Sequence, residues 1–347
     1  MRLSAVLKHD MLLGLCCLPA IGVIFLVGFL FQQVPAASIM ASGALTLAFG
    51  ANKTWEGSSF SLLLTTSLGL AFSSWLGCLT GNVMPLYIAV AMLYAGVYVA
   101  MANIDSSAWW MLLQWSIAYL VSGYYAGNMA YAAERAALTG AGGLLQMAFL
   151  YLVFRRFPFH LQEISPRSWL MFFRVTLSKY KHKIHLQWSV FYALLTMCLA
   201  LSTVEIFQMK NGYWAGMTLL FCLRNNYKDT FSRVQARVLG TLMASILAAT
   251  LVSYWHSPLF LVCSFIFCGY IAFTFSYSLI SKSYFVFTFF VTLMVIFMIS
   301  SLGVTQTDAV ATHRLEATAM GGAFALFAIL MTRLFTRRQI VRKSSKP

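Results

Sequence analysis

Long apolar runs separated by short polar segments dominate the pattern of this chain. Runs of about 20 apolar residues match a helix that crosses a bilayer, and counting them predicts twelve helices. The segments 37–51 and 212–224 are short for a full crossing, so we expect tilted, broken or partly re-entrant helices there. The predicted helices are 10–32, 37–51, 60–80, 84–103, 108–129 and 136–154, followed by 187–207, 212–224, 232–255, 257–276, 279–302 and 312–335.

Composition supports the same fold class, an all-α polytopic membrane protein. Hydrophobic residues make up 60% of the chain and charged residues 10%, with a mean hydropathy of +0.77, whereas soluble domains are about 25% charged. The first apolar run, Met11 to Phe31, follows Arg2 and Lys8 as a signal peptide would. It is longer than the apolar region of about 7–15 residues in a usual signal peptide, so we predict a retained helix.

The two halves of the chain end in the same signature. Arg135 and Arg314 each precede a glycine pair by the same number of residues. The two arginines are therefore as far apart along the chain as the two glycine pairs. Because each half has six predicted helices, both enter the membrane in the same direction. We therefore predict two parallel six-helix repeats, 1–154 and 187–335, joined by a linker at 155–186 and followed by a tail at 336–347. Such duplication is typical of transporters with a path between the halves.

Basic residues predict the orientation. The chain has 24 Lys and Arg against 9 Asp and Glu, a formal charge of +15. With twelve helices, only Arg135, Lys210 and Arg314 fall on the side opposite both termini and the linker. By the positive-inside rule the termini are cytoplasmic, and we expect the cell inner (plasma) membrane. Anionic lipids are then a predicted partner. A homo-oligomer or a periplasmic adaptor protein stays open, and nucleic acid is not expected because no folded basic module is present.

The linker at 155–186 alternates basic and aromatic residues. It fits either an amphipathic helix on the inner leaflet or an ordinary basic connection. About 30 residues are too few for a catalytic domain with its own core.

Nothing in the sequence predicts an enzyme, a cofactor or a metal site. The segment from Gly50 to Thr54 resembles the end of a phosphate-binding loop, but Asn52 replaces the glycine required before Lys53. His182 and His185 lack the further ligands of a zinc site. The seven cysteines all lie in apolar segments, where small packing residues are expected.

Basic and aromatic residues concentrate at 212–241 of the second half, whereas the corresponding segment 42–56 of the first half has no basic cluster. Guanidinium groups hold carboxylates through paired hydrogen bonds, and Arg233 and Arg237, four residues apart, share a helix face. The positive-inside rule and the aromatic belt explain the same residues without a substrate. The candidate substrate-binding or gating residues are Arg224, Lys228, Arg233, Arg237, Tyr213, Trp214, Arg135 and Arg314.

Ionisable residues near the second signature arginine are candidates for proton coupling, because such residues within a membrane are often functional. They are Asp308, His313 and Glu316. In the alternative interpretation, Arg314 pairs with Glu316, Asp308 or a lipid phosphate. The glycine pairs more simply permit close helix packing.

An ordered set of residues in the second half resembles the fusaric acid resistance family, which includes the aromatic acid exporters. The set runs from Tyr213-Trp214 through Thr218, Thr230-x-x-Arg233-x-x-x-Arg237-x-x-Gly240-Thr241 and Arg314 to Thr318 and Gly321. More distantly the layout is similar to plant aluminium-activated malate channels.

This resemblance implies an inner-membrane exporter of organic, above all aromatic, carboxylates that is driven by an ion gradient, with an anionic small molecule as its substrate. Larger family members carry a sizeable cytoplasmic domain after each membrane half, where this sequence has only the linker and the tail. A passive organic-anion channel and a non-transporting membrane assembly subunit remain alternatives.

Overall fold

The computed structural model describes residues 2–55, 58–102, 105–155, 184–224, 226–255, 257–277, 283–301 and 307–344. The predicted linker lies almost entirely outside these ranges. The twelve predicted helices are confirmed. They are α1 (Arg2–Leu30), α2 (Val34–Phe49), α3 (Ser59–Thr80), α4 (Met84–Met101), α5 (Ser106–Tyr124), α6 (Met129–Ala148), α7 (Ile184–Ile206), α8 (Tyr213–Cys222), α9 (Tyr227–Tyr254), α10 (Pro258–Tyr277), α11 (Ser283–Ser301) and α12 (Thr307–Ser344).

Helix lengths follow the prediction in the middle of the chain and depart from it at the ends. Within the described ranges, nine helices are long and apolar enough to cross a membrane, and α2 and α8 are shorter, as expected. The remaining helix, α5, has 19 residues and is not among the nine. The first helix begins at Arg2, and α12 continues to Ser344 through most of the predicted tail. Lysine and arginine interrupt a count of apolar residues, but they are good helix formers, so the helices extend past the apolar runs.

Short polar side chains set the start of several helices. Asp105 accepts hydrogen bonds from the amides of Ser107 and Ala108 at the start of α5. Asn128 and Asn226 cap α6 and α9 in the same way. A capping side chain satisfies an amide that the helix cannot pair. These caps explain why α6 and α9 begin several residues before their predicted starts at 136 and 232.

The packing of the helices repeats in the two halves. Helix α2 packs on α6 as α8 packs on α12, and α3 packs on α5 and α6 as α9 packs on α11 and α12. Between the halves, α1 contacts α10 and α4 contacts α7. Each exchange pairs the first helix of one half with the fourth helix of the other, so the helix contacts have pseudo-twofold character. The parallel direction of the two repeats stays a prediction.

The glycine pairs lie where helix backbones touch. A Cβ added at Gly142 would overlap the carbonyl oxygen of Met40 in α2, and one at Gly321 would overlap the carbonyl oxygen of Ala215 in α8. These glycines therefore allow α6 and α12 to approach the two short helices closely.

Two tyrosines hold the short helices from the opposite half. The hydroxyl of Tyr98 at the end of α4 donates to the carbonyl of Leu220 near the end of α8, at 2.7 Å. The hydroxyl of Tyr277 at the end of α10 donates to the carbonyl of Ala48 near the end of α2. The two tyrosines have the same separation along the chain as the two signature arginines. In a bilayer, backbone groups must be satisfied within the protein, and these hydroxyls satisfy helix-end carbonyls across the two halves.

Candidate functional site

Three arginines of the second half lie within electrostatic range of Tyr284 at the start of α11. Arg224 lies in the connection between α8 and α9, and Arg233 and Arg237 lie on α9. The charges of all three act on Tyr284 and on Cys222, the last residue of α8. The structure thus brings together three of the predicted residues, and we call Arg224, Arg233 and Arg237 the inner cluster.

Each guanidinium group of the inner cluster lies over an aromatic ring. The Cζ atom of Arg224 is 4.2 Å from the ring centre of Trp109, at the start of α5 in the first half. The corresponding distance is 4.4 Å from Arg233 to Tyr284 and 4.7 Å from Arg237 to Phe221. A ring face attracts the cation. The N–H groups lie in the guanidinium plane and point away from the ring, so they can donate hydrogen bonds to another group.

No carboxylate neutralises these arginines within the described residues. The carboxylate contacts of ion-pair length there join His9 to Asp10 at 3.5 Å and His313 to Glu316 at 3.6 Å, and both involve a histidine, which is charged only when protonated. Buried N–H groups of Arg224 (Nε) and Arg237 (Nε and Nη1) find no hydrogen-bond acceptor in the same part of the chain. Burying a cation without a counter-charge is unfavourable, so an anion bound at this cluster would gain both charge and hydrogen-bond complementarity.

Lys53, in the connection between α2 and α3, belongs to the same region although the sequence analysis did not select it. Burial lowers the pKa of Lys53, and the positive charge of Arg224 lowers it further. The sequence contained an indication of this, since Lys53 lies in segment 42–56 of the first half, which corresponds to the basic segment 212–241 of the second half. Trp109, Phe221 and Tyr284 were also missed, because ring contacts between distant helices leave no spacing in the sequence.

Lys228 lies apart from the inner cluster. Its side chain is exposed in the first turn of α9 and lines a cavity of about 400 Å³. Asp229 and Arg333 line the same cavity, so its charges are mixed. The other lining residues are His185, Asn226, Tyr227 and Ile329.

The two signature arginines have different surroundings. Arg135 donates through Nε to Ser122 and through Nη1 to Tyr131, both at 3.1 Å, and lies over the ring of Tyr125. Arg314 lies over the ring of Trp214 at 4.4 Å, and its buried Nη1 has no hydrogen-bond partner among the described residues. Within the described residues, the repeated arginine is therefore anchored by two side-chain hydrogen bonds in the first half and by a ring contact in the second.

The predicted aromatic pair meets the signature arginines rather than the inner cluster. Tyr213 contacts Tyr124 and Tyr125 at the end of α5, with ring centres 5.1 Å and 6.5 Å apart. Trp214 packs on Tyr213 and lies beneath Arg314. These rings join the two halves at the ends of the helices opposite the inner cluster.

The candidates for proton coupling are only partly described. His313 and Glu316 pair with each other one turn apart on α12, so Glu316 is engaged by His313 rather than by Arg314. The side chain of Asp308 lies outside the described part of the structure.

Comparison with known proteins supports the family resemblance. Residues 187–328 match the family described as fusaric acid resistance protein-like, which confirms the resemblance over nearly the whole second repeat. An uncharacterized protein of Haemophilus influenzae is 30% identical over 150 residues, an alignment that covers 43% of this chain and 19% of the Haemophilus protein. No solved structure matches the chain. The family match and the apolar helices together identify a multi-pass, transporter-like membrane protein.

Proposed function

We propose that this protein is a secondary transporter of the cell inner (plasma) membrane that exports organic, above all aromatic, carboxylates. The observation that carries the proposal is the inner cluster, in which three guanidinium groups are stacked on rings and none is paired with a carboxylate within the described residues. The match to the fusaric acid resistance protein-like family supports the same class of substrate.

The substrate enters from the cytoplasmic side, where the predicted topology places the ends of α8 and α10 and the starts of α9 and α11. Arg224 and Lys53 provide positive charge at the contact between the halves, and Arg233 lies deeper beside Tyr284. A carboxylate accepts hydrogen bonds from guanidinium edges at short range. An aromatic substrate also has a ring face that can stack on Trp109 or Tyr284.

Transport by cells tests this proposal. A strain that lacks the gene should accumulate labelled benzoate and related aromatic acids, and the intact gene should restore export. Arg233→Gln should restore it poorly, because the charge and the N–H edge are both lost. Lys210→Gln is the matched control, since it removes one exposed positive charge from the opposite side of the bundle. Equal restoration of export by the two variants would contradict a role for the inner cluster.

A passive anion channel is the second candidate function. The observation that favours it concerns proton coupling: the carboxylates of α8 to α12 whose side chains are described, Asp229 and Glu316, are both exposed. A proton carrier within the membrane is expected to be buried or to face a water-filled cavity. In reconstituted vesicles, currents that reverse at the anion equilibrium potential would indicate a channel, and flux that requires a pH gradient would indicate an exporter.

A further inference from the structure

We infer that the second half contains an intramembrane site for one carboxylate group, formed by Arg237, Arg314, Thr218 and Thr241 at the junction of α8, α9 and α12. The inference rests on the proposed function, because the carboxylate is assigned to the transported substrate. It adds a site deeper than the inner mouth, and it joins two arginines from distant parts of the sequence.

The three helices each present one face to this junction. On α8, Trp214, Thr218 and Phe221 are separated by four and three residues and therefore lie on one side. Trp214 lies beneath Arg314 of α12, and Phe221 lies beneath Arg237 of α9. Between them, Thr218 lies against Gly321 of α12, whose added Cβ would be 2.9 Å from its side chain.

The two arginines are both buried, and they lie over rings about two turns apart on the same face of α8. Arg237 is 5% exposed and Arg314 is 4% exposed, and the charge of one acts on the other. Like charges repel, more strongly where water is excluded, so an anion between them would reverse an unfavourable interaction. The guanidinium groups are held by ring faces, which leave their edges for such an anion.

The hydrogen-bonding groups at the junction match a carboxylate. Arg237 has two buried nitrogen atoms, Nε and Nη1, without a partner in the described ranges, and Arg314 has one. The hydroxyls of Thr218 and Thr241 are also buried and unpartnered there. All of these groups can donate, and an ionised carboxylate is an acceptor with about four lone-pair positions on two oxygens.

The first half lacks this arrangement, so the site is not a feature that both copies of the repeat share. Gly143 of α6 packs against Ser67 of α3, and Gly322 of α12 packs against Val234 of α9. Ser67 and Val234 are therefore equivalent positions. Three residues further along each helix, Leu70 is the equivalent of Arg237. Leu70 belongs to the apolar core, and Arg135 is already bonded to Ser122 and Tyr131. The site is therefore a property of the second half alone.

The test is the affinity of the purified full-length protein for benzoate, measured by titration calorimetry in detergent. Arg314→Gln and Arg237→Gln should each weaken binding by roughly tenfold or more, the usual effect of losing a charge-assisted hydrogen bond. Thr218→Val keeps the shape of the side chain and should weaken binding severalfold. Lys210→Gln controls for total charge. Thr196→Val controls for a buried threonine, because Thr196 is fully buried on α7 and bonds its own helix.

The outcomes separate the two proposals. If the wild-type protein binds no aromatic carboxylate, the proposed function fails, and the site fails with it. If the wild type binds benzoate and the arginine and Thr218 variants bind it equally well, only the intramembrane site is refuted. If chloride displaces benzoate with equal affinity, the site takes a small inorganic anion and the carboxylate assignment is overturned. Thermal melting of each variant identifies any that fails to fold, and Thr218→Val then decides.

Discussion

Replacing Tyr98 by phenylalanine removes one hydroxyl and keeps the ring, so the variant isolates the hydrogen bond between α4 and the end of α8. The carbonyl of Leu220 depends on this bond. The amide of Arg224, which would continue the helix by donating to Leu220, donates instead to the hydroxyl of Thr230 at 3.1 Å. Without the Tyr98 hydroxyl, a buried carbonyl would have no described donor. Such a loss destabilises a protein by about 1–3 kcal/mol.

The equivalent variant in the other half should have a smaller effect. The carbonyl of Ala48 also accepts from the amide of Ala51, at 3.2 Å, and Tyr277→Phe therefore removes one of two bonds. The expected change in the free energy of unfolding is about 0.5–1.5 kcal/mol, the net contribution of an ordinary hydrogen bond. Tyr277→Phe also loses the 3.6 Å contact between the tyrosine hydroxyl and the thiol of Cys17, a weak hydrogen bond of sulfur. The larger difference between the two variants is expected from the helix-end carbonyl, which keeps a second donor at Ala48 and has no other described donor at Leu220.

Unfolding of the purified protein in mixed detergent, followed by far-ultraviolet circular dichroism, measures both free energies. Tyr254→Phe is the control, because Tyr254 is exposed at the end of α9, and its unfolding free energy should match the wild type. The double variant should show the sum of the two single effects, since the two hydrogen bonds share no residue. A Tyr98→Phe effect equal to or smaller than that of Tyr277→Phe would refute the reasoning from the unpaired carbonyl.

Three further predictions follow from contacts in the described residues. Gly142→Ala and Gly321→Ala should each destabilise the protein by about 1–3 kcal/mol, because the added Cβ meets a backbone carbonyl. Gly22→Ala is the control, since a Cβ at Gly22 has no atom within 4 Å, and this variant should keep the stability of the wild type. Equal unfolding midpoints of the three variants in thermal melts would contradict the prediction. Trp109→Leu should weaken benzoate binding severalfold in calorimetry, because Arg224 loses the ring that orients it; an unchanged affinity would show that Arg224 is oriented by other contacts. Benzoate affinity should fall as pH rises through the pKa of Lys53, because the lysine then loses its positive charge. Burial holds this pKa below its ordinary value of 10.5. Lys53→Met should remove the pH dependence, and the same dependence in both proteins would exclude a role for Lys53 in binding.

Sequence alone determined the membrane class, the twelve helices and the duplication. Bilayer thickness sets the length of an apolar run, and helices satisfy their own backbone groups, so each helix could be recognised without knowing its neighbours. The ends of α1 and α12 were missed because charged residues stop an apolar run but do not stop a helix. Tyr98 and Tyr277 were not predicted from the sequence. Their separation equals that of the signature arginines, but their role became visible only with their partner carbonyls.

Tertiary structure decided which of the repeated and basic residues form a site. Arg135 and Arg314 occupy equivalent positions in the sequence. Arg135 donates to Ser122 and Tyr131, whereas among the described residues Arg314 lies over the ring of Trp214 and its Nη1 has no partner. The charge of Arg237 acting on Arg314 and that of Arg224 acting on Lys53 likewise join distant segments. Whether a buried cation has a partner depends on atoms contributed by other helices within a few ångströms, and that information lies in the packing rather than in the spacing of residues along the chain.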